Sequence, residues 1–313
     1  STRVKVEQIL INTNAVSQSW SIWDVTQATV KHEGESDYTH FSTYFPASLS
    51  GIDGKTNGTY TAVNGEVTKY QFAAGKSGKM FSFLSQGWIS FVDERDAQSY
   101  TKIFEIFPEN TNHPDNNSNF EIYSSGGQYI ELEVLSPIES IGGNMDSILY
   151  DEYWYAAKVS GSVKGACHAG IIRENLSFDP LTSHITGEFG IFSSGSVLLA
   201  YFDKDNNTLG SLEGDLVNAA DHYTLDMDLT LPATTEKIRL LVYDTEGIFL
   251  GILDEVTANP PTGTSIVTSN PVCRIYPTRV EKGIPFFIRL DPAADESISV
   301  VLHSLDGKEA CAF

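Results

Sequence analysis

Two glutamates placed two residues apart in one predicted strand are the side chains of this chain with the clearest capacity for chemistry. Glu131 and Glu133 lie in the run 129–135, which follows the run 120–123 after a Ser-Ser-Gly-Gly turn. Two runs rich in β-branched and aromatic residues around a glycine turn predict a β-hairpin. Because side chains alternate along a strand, both carboxylates point to one face, opposite the isoleucine, leucine and valine of the same strand.

Neighbouring carboxylates on a sheltered face are costly unless a partner satisfies them, and ionised carboxylates are good acceptors for hydroxyl groups. Trp23 and Gln27 share a face of an earlier predicted strand. An indole can stack on a sugar ring, and an amide can both donate to and accept from a hydroxyl. We therefore predict ligand-binding roles for Trp23, Gln27, Glu131 and Glu133. The alternatives are a solvated edge strand for the glutamates and a core position for the tryptophan.

Three further features offer weaker chemistry. His113 lies in a polar loop before residue 120, where it is a candidate proton donor beside Glu131 and Glu133, or simply a solvated loop histidine. Asp203, Asp205 and Asn207 imitate the opening of a calcium loop. The residues that follow break the calcium-loop pattern, so a hairpin turn is the simpler interpretation, and no metal site is expected. The sequence contains no cofactor-binding motif, and no cofactor is expected.

Composition narrows the classes of partner. The 313 residues include 20 basic and 41 acidic side chains, and the net charge is −21. Such a chain repels nucleic acid and anionic membrane surfaces. The sequence has neither an apolar run long enough to span a membrane nor a leader-like start, so we expect no membrane insertion and a mature or trimmed chain. Of the three cysteines, Cys273 and Cys311 are able to pair, but buried thiols are the alternative.

Short strand-like runs separated by Gly, Asn and Asp turns recur along the whole chain, which predicts an all-β fold. Residues 1–162 are expected to form a first β-domain and residues 163–259 a β-sandwich. Residues 260–271 are rich in proline, threonine and serine and are predicted to be a linker. Residues 272–313 have room for only a small, incomplete β-unit.

The first β-domain resembles the C-terminal half of a galactose mutarotase-like supersandwich, and within that superfamily an uncharacterised bacterial family. The resemblance rests on the segments 20–27, 87–91, 120–123, 129–133 and 152–154, which occur in the family's order. It implies a sugar ligand, with Glu131 or Glu133 where the catalytic base of a mutarotase stands. The earlier strand carries no histidine at the position of the catalytic acid. The resemblance also implies that an N-terminal half-sandwich is missing, and a second chain is a possible source of it.

The last β-unit resembles the sorting domain of proteins exported by type IX secretion. The matching residues are Ile-Tyr-Pro-Thr-Arg-Val at 275–280, then Gly283, then Leu-Asp-Gly-Lys-Glu at 305–309. This resemblance implies export, with the protein secreted or held at the cell surface.

Together these observations favour a secreted or cell-surface carbohydrate-binding protein whose mutarotase-like domain lacks the usual histidine. One alternative is an enzyme, either a sugar epimerase or mutarotase or a carbohydrate-cleaving enzyme, although the missing histidine weighs against catalysis. The other is a structural, adhesive surface module without a small ligand.

Overall fold

The computed structural model describes residues 1–108 and 111–258, and beyond them only the backbone of four short strands. The predicted all-β class is confirmed, because strands and turns account for nearly all of the described chain. No helix in these ranges has the length and apolar character needed to cross a membrane. The chain divides into two compact units, Ser1–Pro260 and Pro261–Phe313.

The N-terminal part of the first unit contains two large antiparallel sheets. Its strands are β1 (Val4–Asn12), β2 (Gln18–Trp20), β3 (Trp23–Thr29), β4 (Phe41–Phe45), β5 (Ile52–Lys55), β6 (Gly58–Ala62), β7 (Thr68–Phe72), β8 (Gly78–Ser82), β9 (Trp88–Asp93), β10 (Gln98–Phe104), β11 (Phe120–Ser124), β12 (Tyr129–Leu135), β13 (Glu139–Ile141) and β14 (Asp146–Ala157). The seven-stranded sheet has the order β1-β14-β10-β9-β4-β7-β6, and the five-stranded sheet has the order β3-β12-β11-β8-β5. A single 3-10 turn, Leu49–Gly51, and a tight turn at Pro114–Asn117, whose Asp115 and Asn116 have non-helical backbone angles, lie in the connections.

The sequence pattern of β12 explains how the two sheets pack. Ile130, Leu132 and Val134 alternate along the strand and are fully buried in an apolar cluster that also takes side chains from β4, β7 and β11. This cluster fills the space between the sheets. Glu131 and Glu133 therefore point away from it, onto the outer face of the five-stranded sheet.

The rest of the first unit is a second pair of sheets. Its strands are β15 (Gly165–Cys167), β16 (Gly170–Asp179), β17 (His184–Ile191), β18 (Gly195–Phe202), β19 (Thr208–Val217), β20 (His222–Asp228), β21 (Lys237–Asp244) and β22 (Phe249–Thr257). They form the sheets β15-β16-β17-β20 and β19-β18-β21-β22, which enclose an apolar cluster of their own. The predicted domain boundary at residues 162 and 163 falls between β14 and β15 and stays a prediction.

A third apolar cluster joins the two halves of this unit. It combines Trp88 and Tyr155, from the seven-stranded sheet, with Val163 and Phe192, from the second half. The rings of Tyr155 and Phe192 stack with centroids 4.2 Å apart. Side chains of the seven-stranded sheet are therefore buried on both of its faces, whereas the five-stranded sheet keeps exposed side chains on its outer face.

A fully buried lysine links the two sheets of the first sandwich. Lys102 on β10 has no exposed surface and contacts Asp24 of the five-stranded sheet and Glu152 of the seven-stranded sheet. Its ammonium also donates to the carbonyl oxygen of Leu132 at 3.2 Å. Burial raises the pKa of Glu152, with Lys102 acting in the opposite direction. The ammonium of Lys102 and the carboxylates of Asp24 and Glu152 thus compensate one another's charge inside an otherwise apolar interior.

The second unit is described only through the backbone of β23 (Arg274–Tyr276), β24 (Phe287–Arg289), β25 (Val301–His303) and β26 (Glu309–Ala312). β23 pairs with β24 and β25 pairs with β26, both antiparallel. The predicted linker 260–271 and the side chains of Cys273 and Cys311 lie outside the described residues. The third cysteine, Cys167, is partly buried, and its sulfur lies 3.5 Å from the carbonyl oxygen of Ile252.

Candidate functional site: the outer face of the five-stranded sheet

The predicted hairpin forms, and its register sets two glutamates side by side. β11 and β12 pair antiparallel, with Glu121 opposite Glu133 and Tyr123 opposite Glu131. Gly126 takes a positive φ of 83° in the connecting turn, as the glycine turn requires. Directly opposed residues of an antiparallel pair have Cβ atoms about 5 Å apart, so Glu121 and Glu133 repel each other unless a cation lies between them.

Lys79 on β8 supplies that cation. Its Nζ lies 2.5 Å from Glu121 Oε2 and 3.1 Å from Glu133 Oε2, and Asp115 Oδ2 lies 3.7 Å away. Although burial opposes it, hydrogen bonding to both glutamates raises the pKa of Lys79. The lysine therefore stays protonated and holds both carboxylates. We call Lys79, Glu121, Glu133 and Trp23 the outer cluster.

Trp23 completes the outer cluster from β3. Its indole Nε1 donates to Glu133 Oε2 at 2.7 Å, and Lys79 Nζ lies 4.4 Å from the centre of the ring. The side chain nevertheless remains 41% exposed. Next to it, Gln27 Nε2 donates to Glu131 Oε1 at 2.9 Å. The tryptophan thus offers exposed aromatic surface directly beside fixed polar groups.

A strained turn closes one side of the outer cluster. Asp115, Asn116 and Asn117 are consecutive non-glycine residues with φ values of 40°, 59° and 60°. Such conformations each cost about 1 to 3 kcal/mol and tend to occur at functional sites. The turn brings Asp115 to Lys79, and Ser118 Oγ, just after it, donates to Glu121 Oε1 at 2.9 Å.

The two glutamates of the outer cluster are buried although they lie on the outer face. Glu121 is 0% exposed and Glu133 is 2% exposed. Burial raises the pKa of Glu121, more than Lys79 and Ser118 lower it. Glu133 Oε1 has no hydrogen-bond partner among the described residues. A buried carboxylate oxygen without a donor is unfavourable, and a ligand hydroxyl would satisfy it.

A groove of about 360 Å³ begins at Trp23 and runs along the side of the sandwich where both sheets end. Gln8, Ile9 and Leu10 of β1 form one wall, and residues 21–23 form the other. β1 and β3 are the terminal strands of their sheets. The exposed surface of Trp23 therefore lies between a recessed groove and the outer cluster.

The structure brings together the four residues predicted to bind a ligand. Trp23 contacts Glu133, and Gln27 contacts Glu131, through cross-strand hydrogen bonds between β3 and β12. Glu131 is partly exposed, in contrast to Glu133. Lys79 and Glu121 are not among the residues predicted from the sequence. Counting back across the glycine turn would have identified Glu121 as the residue opposite Glu133.

The weaker candidate His113 is buried rather than solvated. Its ring packs edge-on against Phe83, with centroids 5.4 Å apart, and Nδ1 lies 3.0 Å from the carbonyl oxygen of Thr111. Burial lowers the pKa of His113, only partly offset by that carbonyl. A neutral histidine held in this way supports the fold of the 113–118 segment.

The segment that imitates a calcium loop forms a hairpin turn between β18 and β19. The Asp203 carboxylate accepts the backbone N–H groups of Asp205 and Asn207 at 2.9 and 2.8 Å. The Asn207 side chain also donates to Asp203. Asp203 thus uses its oxygens to fix the turn.

Comparison with known proteins provides no family for this chain. No family model and no curated protein matches it. Among solved structures, the Slr1438 protein of Synechocystis sp. PCC 6803 shares 12% identity at a TM-score of 0.32, covering 50% of this chain and 51% of that protein. A TPR-domain containing protein of Parabacteroides distasonis shares 9% identity at a TM-score of 0.36, covering 53% and 30%.

A β-1,2-glucanase of Parabacteroides distasonis shares 9% identity at a TM-score of 0.18 and covers 81% of this chain and 39% of its own. The chain thus spans about half or less of the length of these structures. At this level of similarity none of them bears on the function of the chain.

Proposed function

We propose that the outer face of the five-stranded sheet binds a carbohydrate. The carrying observation is the Glu133 carboxylate, which is buried beside an exposed indole and keeps one oxygen without a hydrogen-bond donor from residues 1–108 and 111–258. In this proposal a sugar ring stacks on Trp23, and one of its hydroxyls donates to Glu133 Oε1 once the side chains that cover this oxygen move aside. Gln27 and Glu131 lie next along the same face and offer a donor and acceptors for further hydroxyls.

Charge narrows the class of carbohydrate. Glu121, Glu133 and Asp115 surround Lys79, Glu131 lies on the same face, and the whole chain carries a net charge of −21. Sulfated or uronate-rich glycans would meet repulsion both at long range and at the site. The proposed ligand is therefore a neutral oligosaccharide or polysaccharide.

The arrangement supports binding more than cleavage. Both Glu121 and Glu133 contact the same ammonium, so Lys79 occupies the space between their carboxylates. Glycoside hydrolysis needs two carboxylates on either side of the scissile bond, with the substrate between them. The export and surface location implied by the tail resemblance fit a protein that captures external glycans, and they remain part of the proposal.

Calorimetric titration with neutral oligosaccharides, chosen from a glycan array, tests the proposal. Trp23→Ala is expected to weaken binding about two- to tenfold, because a stacked aromatic contact contributes about 0.5 to 1.5 kcal/mol. Glu133→Gln, which keeps the shape but loses the charge, is expected to weaken it as well. Trp20 is the matched control, since it is 58% exposed on β2 and does not contact the outer cluster.

Two results would contradict the proposal. One is the absence of binding to any neutral glycan on the array. The other is equal affinity in Trp23→Ala, Trp20→Ala and the parent protein, which would show that the exposed indole of Trp23 takes no part. Preferential binding of sulfated glycans would refute the charge argument alone.

A further inference from the structure

A second group of polar side chains converges where the loop 30–40 meets the turn between β9 and β10. His32 comes from the loop, Asp93 ends β9, and Asp96 lies in the turn. One potential ligand atom from each of the three residues lies within 4.8 Å of the other two. These residues belong to neither the outer cluster nor the groove.

The contact between His32 and Asp93 has unusual geometry. His32 Nε2 is buried and lies 3.1 Å from Asp93 Oδ2, yet it makes no hydrogen bond within the described part of the chain. The oxygen must therefore lie off the direction in which this nitrogen would donate. When a nitrogen and an oxygen each bind one ion at about 2.1 Å, the two atoms are roughly 3 to 3.4 Å apart. The ion then lies along the lone pair of the nitrogen, and the oxygen lies to the side of that direction.

The surroundings fix both groups in place. Asp93 Oδ1 accepts the backbone N–H groups of Arg95 and Asp96 at 3.1 and 3.3 Å, which leaves Oδ2 turned toward His32. The His32 ring packs against Phe41 with centroids 4.9 Å apart. Ligands oriented by neighbouring hydrogen bonds and packing are typical of metal centres.

Asp96 provides a third ligand, which is the second oxygen. Its Oδ2 lies 3.9 Å from His32 Nδ1, the ring nitrogen that does not face Asp93, so this carboxylate must turn toward Nε2 to bind the same ion; its Oδ1 lies 3.0 Å from Nε of Arg95. Arg95 also binds Glu35 at 2.6 Å, so a small rotation of Asp96 toward the histidine leaves the arginine with a carboxylate partner. His32 and Asp93 are mostly buried, whereas Asp96 is exposed and able to adjust.

We propose that His32, Asp93 and Asp96 bind a divalent first-row cation such as Mn²⁺ or Zn²⁺, with water completing its coordination. One imidazole and two carboxylates suit these ions, while Ca²⁺ prefers six or more oxygen ligands. The ion would tie the loop 30–40 to the β9–β10 turn. This site is independent of the proposed carbohydrate site.

Titration of the untagged chain with Mn²⁺, followed by the EPR signal of the free ion, tests the proposal. Mn²⁺ avoids the thiols, which prefer zinc. We expect one ion per chain with a dissociation constant below about 100 µM. His32→Gln is expected to weaken binding at least about tenfold, a loss of one ligand. Paramagnetic broadening of the Phe41 ring signals would locate the ion.

Two variants keep the test decisive. Asp96→Asn changes an exposed residue, so this variant should fold normally. Its affinity for Mn²⁺ should nevertheless be lower than that of the parent protein. His184→Gln is the control, because His184, the first residue of β17, also lies near two aspartates, Asp226 and Asp228, but these are largely exposed. No binding below 1 mM, or equal affinity in His32→Gln and His184→Gln, would overturn the proposal.

Discussion

Replacing Lys102 by methionine should destabilise the protein far more than replacing a surface lysine. The variant keeps most of the apolar stem but leaves Glu152 and Asp24 without the ammonium that both contact. Removing one partner of a buried ion pair costs about 3 to 5 kcal/mol. Because Lys102 and Glu152 are wholly buried, we expect about 4 kcal/mol, a large part of the 5 to 15 kcal/mol typical of a domain.

The loss should shrink as the pH falls. Burial already raises the pKa of Glu152 above its ordinary value, and removal of Lys102 must raise it further. An acid with a raised folded pKa contributes stability that is present at low pH. That contribution is lost as the pH rises from the unfolded pKa, about 4.3, to the folded one. Between pH 7 and pH 5 the destabilisation is expected to decrease by up to about 1.4 kcal/mol per pH unit.

Urea unfolding at pH 7 and pH 5 measures both effects. Lys164→Met is the matched control, because Lys164 pairs with Glu174 on the surface, where an ion pair contributes at most about 1 kcal/mol. In Lys102→Met, adding Glu152→Gln should recover part of the loss by removing one unpaired charge. A loss under about 1 kcal/mol in Lys102→Met, or the same loss at both pH values, would refute the reasoning.

Two further predictions concern the scaffold. Because burial lowers the pKa of His113 in the folded state, the stability that this residue contributes is present above pH 6.5 and is lost as the pH falls toward the folded pKa. In His113→Phe, the free energy of unfolding measured in urea should therefore change less between pH 7 and pH 5 than in the parent protein. Gly58 has a φ of 124° and an added Cβ would lie 2.2 Å from the Gln71 carbonyl oxygen, whereas Gly65, at 88°, has open space. Urea unfolding should show that Gly65→Ala lowers the free energy of unfolding by about 1 kcal/mol and that Gly58→Ala lowers it by at least about twice that amount. Equal losses in the two variants would contradict the steric argument.

The hairpin carrying Glu131 and Glu133 is predictable because its signals are local. Alternation and a glycine turn fix the strands, and the same alternation correctly places Trp23 and Gln27 on one face. Lys79 is not predictable in this way, since it reaches Glu133 from 54 residues away in the sequence. Register between strands that are distant along the chain depends on the whole sheet.

Other differences between expectation and structure also have physical causes. The segment 20–27 is divided between two strands, because Ile22 hydrogen-bonds to Ser136 and separates β2 from β3. His113 looks solvated because polar loops usually are, yet two phenylalanines pack against it. The strand β19 is largely exposed on both faces and therefore lacks the alternation that predicts strands.

The apolar cluster formed by Trp88, Tyr155, Val163 and Phe192 limits where the chain can be divided into fragments. Cutting the chain after β14 would leave Trp88 and Tyr155 facing water, an aromatic patch of the sort that drives aggregation. The two halves of this unit therefore depend on each other for the burial of these side chains. A fragment that contains either sandwich alone would expose the apolar surface that its neighbour normally covers, and would be prone to aggregation.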